Sequence, residues 1–175
     1  MPAELIVRSA GFTPVKGMRH VAHARVELDE LGPVGDRTWC LVDVEREAVL
    51  RTVQHPSLMA VVAQRDGGSL RMSLPSGEQV HAPPDPTRET LTCDYWGRRV
   101  DLALLEGPHA ELVTGWLGRE VRLAAAPRGG VVFDAPVTIV GTASLHDLAE
   151  RVDHPSLVEE SARFRATLVV ETDEP

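Results

Sequence analysis

Short apolar runs alternate with turn signals at close spacing along this chain, the pattern of a mostly β protein. Glu4 to Arg8 predicts a first short strand. From Val21 to Leu28, small or apolar Ala22, Ala24, Val26 and Leu28 stand against Val21, Arg25 and Glu27, the period of two expected of a strand. Arg37 to Asp43 predicts a third strand, with Trp39 and Leu41 on one face. Leu58 to Gln64 reads as apolar and predicts a strand buried on both faces. Ser69 to Leu74 places Leu70, Met72 and Leu74 inward and polar residues outward. Turn signals separate these runs at Leu31-Gly32-Pro33-Val34-Gly35, Asp66-Gly67-Gly68 and Pro75-Ser76-Gly77. Strands this closely spaced predict a barrel or sandwich.

Three prolines, Pro83, Pro84 and Pro86, lie between His81 and Arg88, so this stretch is expected to be a connecting loop outside any central ladder. Strands are predicted at Thr90 to Cys93, Arg99 to Leu104 and Arg119 to Ala124. A short helix is predicted from Pro108 to Leu117, with proline in its first turn and Gly118 at its end. Ala125-Ala126-Pro127-Arg128-Gly129-Gly130 is the clearest boundary, dividing the chain into residues 1–125 and 126–175. Beyond it, Val137 to Val140 predicts a strand. Ser144 to Val152 predicts a second helix, with Ser144 and Asp147 as a capping box and Leu145, Leu148, Ala149 and Val152 as its apolar stripe. Phe164 to Val170 predicts the last strand. His-Pro-Ser-Leu occurs at His55 and again at His154, which we read as a chance recurrence.

Composition narrows the function classes. The 175 residues carry a net charge of −8, which argues against a protein that coats nucleic acid or binds membranes through a polybasic surface. No apolar run is long enough to span a bilayer, and the amino terminus has no signal-peptide pattern, so a cytoplasmic protein is expected. The two cysteines, Cys40 and Cys93, are far apart and form no CxxC pair, so both are expected in the core, with neither a disulfide framework nor a structural zinc site. No metal site is expected: His20 and His23 are three apart, and on a strand they face opposite ways.

Candidate chemistry centres on three basic residues at strand mouths. Lys16 is the one lysine among 18 basic residues and follows the first strand in Pro14-Val15-Lys16-Gly17. Arg37 opens a strand after Gly35-Asp36, and Arg165 opens the last. A lysine point charge beside arginine forks suits a phosphate. Asp36, Asp43, Asp134 and Asp147 are candidate acids or bases, with Asp36 read first as a turn residue bonded to backbone and Asp147 as a helix-cap participant.

These residues resemble a known family. Pro14-Val15-Lys16, then Gly35-Asp36-Arg37-Thr38-Trp39-Cys40-Leu41-Val42-Asp43, then Val49 through Leu58, Tyr95-Trp96-Gly97 and Trp116 through Leu123 look like the N-terminal β-barrel domain of MOSC proteins. Ala143-Ser144-Leu145-His146-Asp147-Leu148 and Arg163-Phe164-Arg165 resemble the opening of the MOSC domain itself. The resemblance implies a mostly β, barrel-like fold with two short helices: a MOSC N-terminal-type barrel followed by an incomplete MOSC-like portion. It implies a pocket between β-rich domains that holds the molybdenum cofactor (molybdopterin), or another phosphorylated anion, with Lys16, Arg37 and Arg165 on the phosphate. The family cysteine, well downstream of Phe164-Arg165, has no counterpart before Pro175, so the family's redox or sulfur-transfer chemistry is not expected of this chain unaided.

Two other classes stand beside a MOSC-like anion binder. One is a cofactor-independent cyclase, isomerase or lyase on a reused barrel, with Lys16 as clamp or amine nucleophile and Asp36 or Asp134 as acid-base. The other is a non-catalytic assembly module. The expected partners are a small or phosphorylated ligand and a second copy or partner protein covering an open sheet edge, with neither nucleic acid nor membrane.

Overall fold

The computed structural model describes residues 5–175. These fall into two units. One gathers the chain up to Phe12, His20–Val34 and Ala135–Pro175; the other gathers Thr13–Arg19 and Gly35–Asp134. In chain order the strands begin with β1 (Val7–Phe12), β2 (Val21–Ala22), β3 (Leu28–Asp29), β4 (Gly32–Pro33), β5 (Trp39–Asp43) and β6 (Ala48–Val49). They continue with β7 (Val62–Asp66), β8 (Ser69–Ser73), β9 (Gln79–Ala82), β10 (Asp85–Tyr95) and β11 (Arg98–Glu106). Helix α1 (Pro108–Leu117), β12 (Arg122–Ala125), β13 (Ile139–Gly141), α2 (Thr142–Arg151) and β14 (Leu168–Val170) complete the order. The fold is mostly β with two helices, as the strand spacing predicts.

The larger unit is built on a closed barrel, β10-β11-β12-β5-β6, accompanied by the three-stranded sheet β7-β8-β9. Strand β5 is buried along its whole length because its two faces enter different cores. Trp39 and Leu41 join Leu58, Leu70, Met72 and Val113, whereas Cys40 and Val42 join Cys93, Tyr95, Leu102 and Ala124. That division by alternate residues is the strand period of two, with both surfaces covered. Both cysteines are buried and free, as expected for core residues. Helix α1 keeps the boundaries predicted for it, and Gly118 closes it at φ +64°, a left-handed cap that glycine adopts without a Cβ penalty. The smaller unit holds the four-stranded sheet β13-β14-β1-β2 and the pair β3-β4, with α2 burying Leu145 and Ala149.

Several expectations need correction. Glu4 lies outside the described residues, and the first strand runs later than predicted, Val7–Phe12. The alternating stretch Val21 to Leu28 pairs only at its two ends, as β2 and β3. Leu58 opens no strand: Pro56–Ala60 is a short 3-10 helix, and the strand starts at Val62 with Gln64 exposed. The proline-rich stretch does pair. Asp85 and Pro86 oppose Glu106 and Leu105, and the register then shifts between Pro86 and Thr90, an irregularity that accommodates a residue with no N–H to give.

Helix α2 begins at Thr142, so Ser144 is inside it and caps nothing; Thr172 Oγ1 accepts from the Ala143 N–H at 3.1 Å instead. Val152, expected on the apolar stripe, is exposed. The final strand is only Leu168–Val170, because Ser161–Phe164 forms a 3-10 turn. The repeated His-Pro-Ser-Leu is one local device used twice. His55 (φ −132°, ψ 67°) and His154 (φ −133°, ψ 78°) each precede a 3-10 helix that starts on proline and buries its leucine. Proline pushes the residue before it out of the α region and presets the first helical φ, so the same four residues build the same corner.

Candidate anion site in the barrel unit

The segment carrying Lys16 is laced to the start of β5. The Arg37 N–H donates to the Thr13 carbonyl at 2.8 Å, Trp39 N–H to Pro14 at 3.0 Å, and Lys16 N–H to Trp39 at 2.8 Å. Val15 and Met18 anchor that segment in the core. Backbone bonds therefore fix where Arg37 and Lys16 stand. Arg37 holds a left-handed φ of +46°, an uncommon conformation for a residue with a Cβ. Asp36 is buried; its carboxylate accepts the Thr13 N–H at 3.3 Å and lies 3.4 Å from Arg37 Nη1. It ties the corner together and orients the guanidinium.

Tyr95, the one tyrosine of the chain, is fully buried at the end of β10. The Lys16 ammonium stands 5.1 Å from its ring centroid and the Arg98 guanidinium 5.4 Å, both within cation–π range. Burial raises the Tyr95 pKa, opposed chiefly by the positive charges of Arg37 and Arg98, so the phenol is a protonated donor at neutral pH. The Trp96 side chain also favours the phenolate weakly, but it makes no contact of hydrogen-bond geometry, and geometry decides whether the oxygen is satisfied. Two buried polar atoms here lack a hydrogen-bond partner, Tyr95 Oη and Arg37 Nε. Buried polar groups are nearly always bonded, so an unmatched pair among like charges asks for an acceptor.

Of the residues singled out in the sequence, Lys16, Asp36 and Arg37 come together in this unit. Asp134 is exposed at the unit's end, after Phe133. Arg165 belongs to the other unit, half-buried after the Ser161–Phe164 turn at φ +58°. Sequence reasoning passed over Tyr95, Arg98 and Arg51 as site residues, although Tyr95 and Arg51 lie in segments that carry the family resemblance. The available signal was the scarcity of aromatics, which makes each one outside a regular apolar pattern informative.

A second charged cluster lines a cleft of about 630 Å³ in the same unit. The largely buried Asp43 carboxylate accepts from Arg46 Nη1 at 2.8 Å, from the Arg46 N–H at 3.1 Å and from Arg119 Nη2. These bonds, Arg46 first, hold its carboxyl below the usual range. Arg119 Nη1 also donates to His55 Nε2 at 3.3 Å, and burial with Arg119 keeps His55 pKa low. Asp43 pairs with both guanidiniums, so this cluster reads as a brace between β5 and the segment after α1. Among the described residues no group of three His, Cys, Asp or Glu is placed to hold a metal ion, and no helix is long and apolar enough to cross a membrane.

No curated protein matches the chain. A solution structure of a Bordetella bronchiseptica protein is similar over 65% of this chain and 97% of that one, at 14% identity and a TM-score of 0.44. The sequence profile of the MOSC N-terminal beta barrel domain matches residues 6–120, a span that takes in the Lys16 segment, β5, the Tyr95 hairpin and α1, and by that match the chain belongs to this family.

Proposed function

We propose that this chain binds a phosphorylated anion, with Lys16, Arg37 and Arg98 as the positive groups and Tyr95 as a donor. The observation that carries the reading is the pair of unpartnered buried atoms, Arg37 Nε and Tyr95 Oη, beside the Lys16 ammonium. A phosphate oxygen supplies charge-assisted acceptors that both atoms lack. The Lys16 ammonium lies within cation–π range of the tyrosine ring, the placement of an electrostatic clamp. Arg165, in the other unit, is the further arginine matched to the family pattern.

The molybdenum cofactor is the family's candidate ligand. Its phosphate suits this basic set; its metal does not suit the thiols. Cys93 is buried with its pKa pushed up to about 11, and burial pushes the Cys40 thiol further still. Neither offers a thiolate to a metal or to a transferred sulfur, so neither supports a redox or sulfur-transfer step. The expected cover for a sheet edge is also retained as a proposal, because β13 is an edge strand with Ile139 exposed. Sedimentation that finds only a monomer at micromolar concentration removes a second copy as that cover.

Calorimetric titration with inorganic pyrophosphate tests the anion reading. One site is expected, weakened about tenfold or more in Lys16→Ala and in Arg37→Ala, since bonds to charged groups carry about 1.5–3 kcal/mol. Absence of binding by the wild type, or wild-type affinity in both variants, overturns the reading.

A further inference from the structure

The β10–β11 hairpin turns on only two residues, Trp96 and Gly97, since Tyr95 and Arg98 still pair. Both turn residues have positive φ, +57° and +76°, the signs of a type I′ turn. That turn favours Asn-Gly, and the Asp94 carboxylate already steadies it by accepting the Gly97 N–H at 3.0 Å. A bulky aromatic at its first position is strained, and nothing in the turn calls for one. Nor is Trp96 there to fill a core: it is 42% exposed, and Phe133, tilted 49° against it at 4.6 Å, is 57% exposed.

The two rings do have a place in the charge pattern. The Arg51 guanidinium sits 4.4 Å from the Trp96 centroid, and its charge is felt at Tyr95. Arg98 reaches from the Tyr95 ring to the Val132 carbonyl at 2.6 Å, one residue before Phe133. Tyr95 and the exposed aromatic pair thus lie beside the same two arginines, Arg98 over the Tyr95 ring and Arg51 over the Trp96 ring. A strained, exposed tryptophan with an arginine over its ring and a second exposed ring tilted against it is a platform for a flat ring.

We infer that Trp96, Phe133 and Arg51 form a second subsite beside the anion site, which stacks the base of a nucleoside monophosphate whose phosphate meets Lys16, Arg37 and Tyr95. This rests on the anion reading above and adds the chemical class of the ligand. Stacking is tolerant of base identity, so purine nucleotides are expected to outbind pyrimidine ones by ring area alone.

The test compares AMP, ribose 5-phosphate and inorganic phosphate by calorimetry on the full chain. The wild type is expected to bind AMP about tenfold or more tightly than ribose 5-phosphate, the range that one stacked base provides. Trp96→Asn puts the preferred residue into the turn, so the fold is kept; AMP is expected to fall to the affinity of ribose 5-phosphate while phosphate binding is unchanged. Phe133→Ala, at an exposed position, is expected to lower the AMP preference without touching phosphate. Equal wild-type affinities for AMP and ribose 5-phosphate overturn the subsite and leave the anion site standing. An AMP preference that survives in both variants overturns the assignment to these rings. No binding of any of the three overturns the anion reading, and the subsite with it.

Discussion

Tyr95→Phe separates the hydroxyl of Tyr95 from everything else the side chain does. The ring stays in the barrel core, and so do its cation–π contacts with Lys16 and Arg98, at 5.1 and 5.4 Å. What leaves is one buried oxygen with no hydrogen-bond partner. An unsatisfied buried polar group costs about 1–3 kcal/mol, and the lower end applies because neighbouring cations soften the loss of water. Without ligand, the phenylalanine variant is therefore expected to be more stable by about 1 kcal/mol, a rise in Tm of roughly 3 °C for a chain of this size. Phosphate should reverse the order. At about a hundred times its dissociation constant, a ligand stabilises the wild type by about 2.7 kcal/mol. A tenfold weaker site in the variant recovers about 1.4 kcal/mol less, which exceeds its starting advantage. The assay is urea unfolding of both proteins at pH 7, with and without phosphate. A variant less stable than the wild type in the absence of ligand would refute the reasoning, since the hydroxyl would then have a partner. An advantage that persists unchanged in saturating phosphate would refute its role as a donor to the anion.

Asp43→Asn leaves Arg119 and Arg46 without their shared carboxylate and is expected to destabilise the barrel by about 2 kcal/mol, below the usual cost of breaking a buried pair because Arg119 is 30% exposed on the cleft. The carboxyl pKa is lowered in the fold, so its contribution is present above the ordinary value of 3.8 and is lost as pH falls through the folded value; the gap between wild type and variant in urea unfolding should hold from pH 7 to 5 and close below about pH 4, and a pH-independent gap would sink this account. Cys40 and Cys93 are buried with raised pKa values, so an aromatic disulfide reagent at pH 8 should label neither in the native protein and both after unfolding; rapid native labelling would show that the barrel core opens.

Local patterning was readable where neighbours in sequence decide the structure. Ser69–Ser73 follows its alternation, and α1 starts on proline and stops on a glycine that takes the left-handed cap. Lys16 and Arg37 were legible through the order of motifs around them. Where a partner from elsewhere in the chain decides, local reading failed. Ser144 has every local mark of a helix cap, yet Thr172 does the capping from 29 residues away. Pro86 looked barred from a ladder, yet a shift of register lets it pair opposite Leu105.

The sequence by itself determined a mostly β chain, its two helices and its buried cysteines, because dihedral preferences and side-chain periods act over a few residues; the candidate anion clamp came from the resemblance to the family. Only the tertiary structure decided that Tyr95 Oη and Arg37 Nε are buried without partners, that Asp36 braces a corner, and that Trp96 stands strained and exposed beside Arg51 and Phe133. Whether a polar atom is satisfied depends on every group that reaches it. Those groups arrive from strands whose pairing is set by closure of the barrel, which no short stretch of sequence contains.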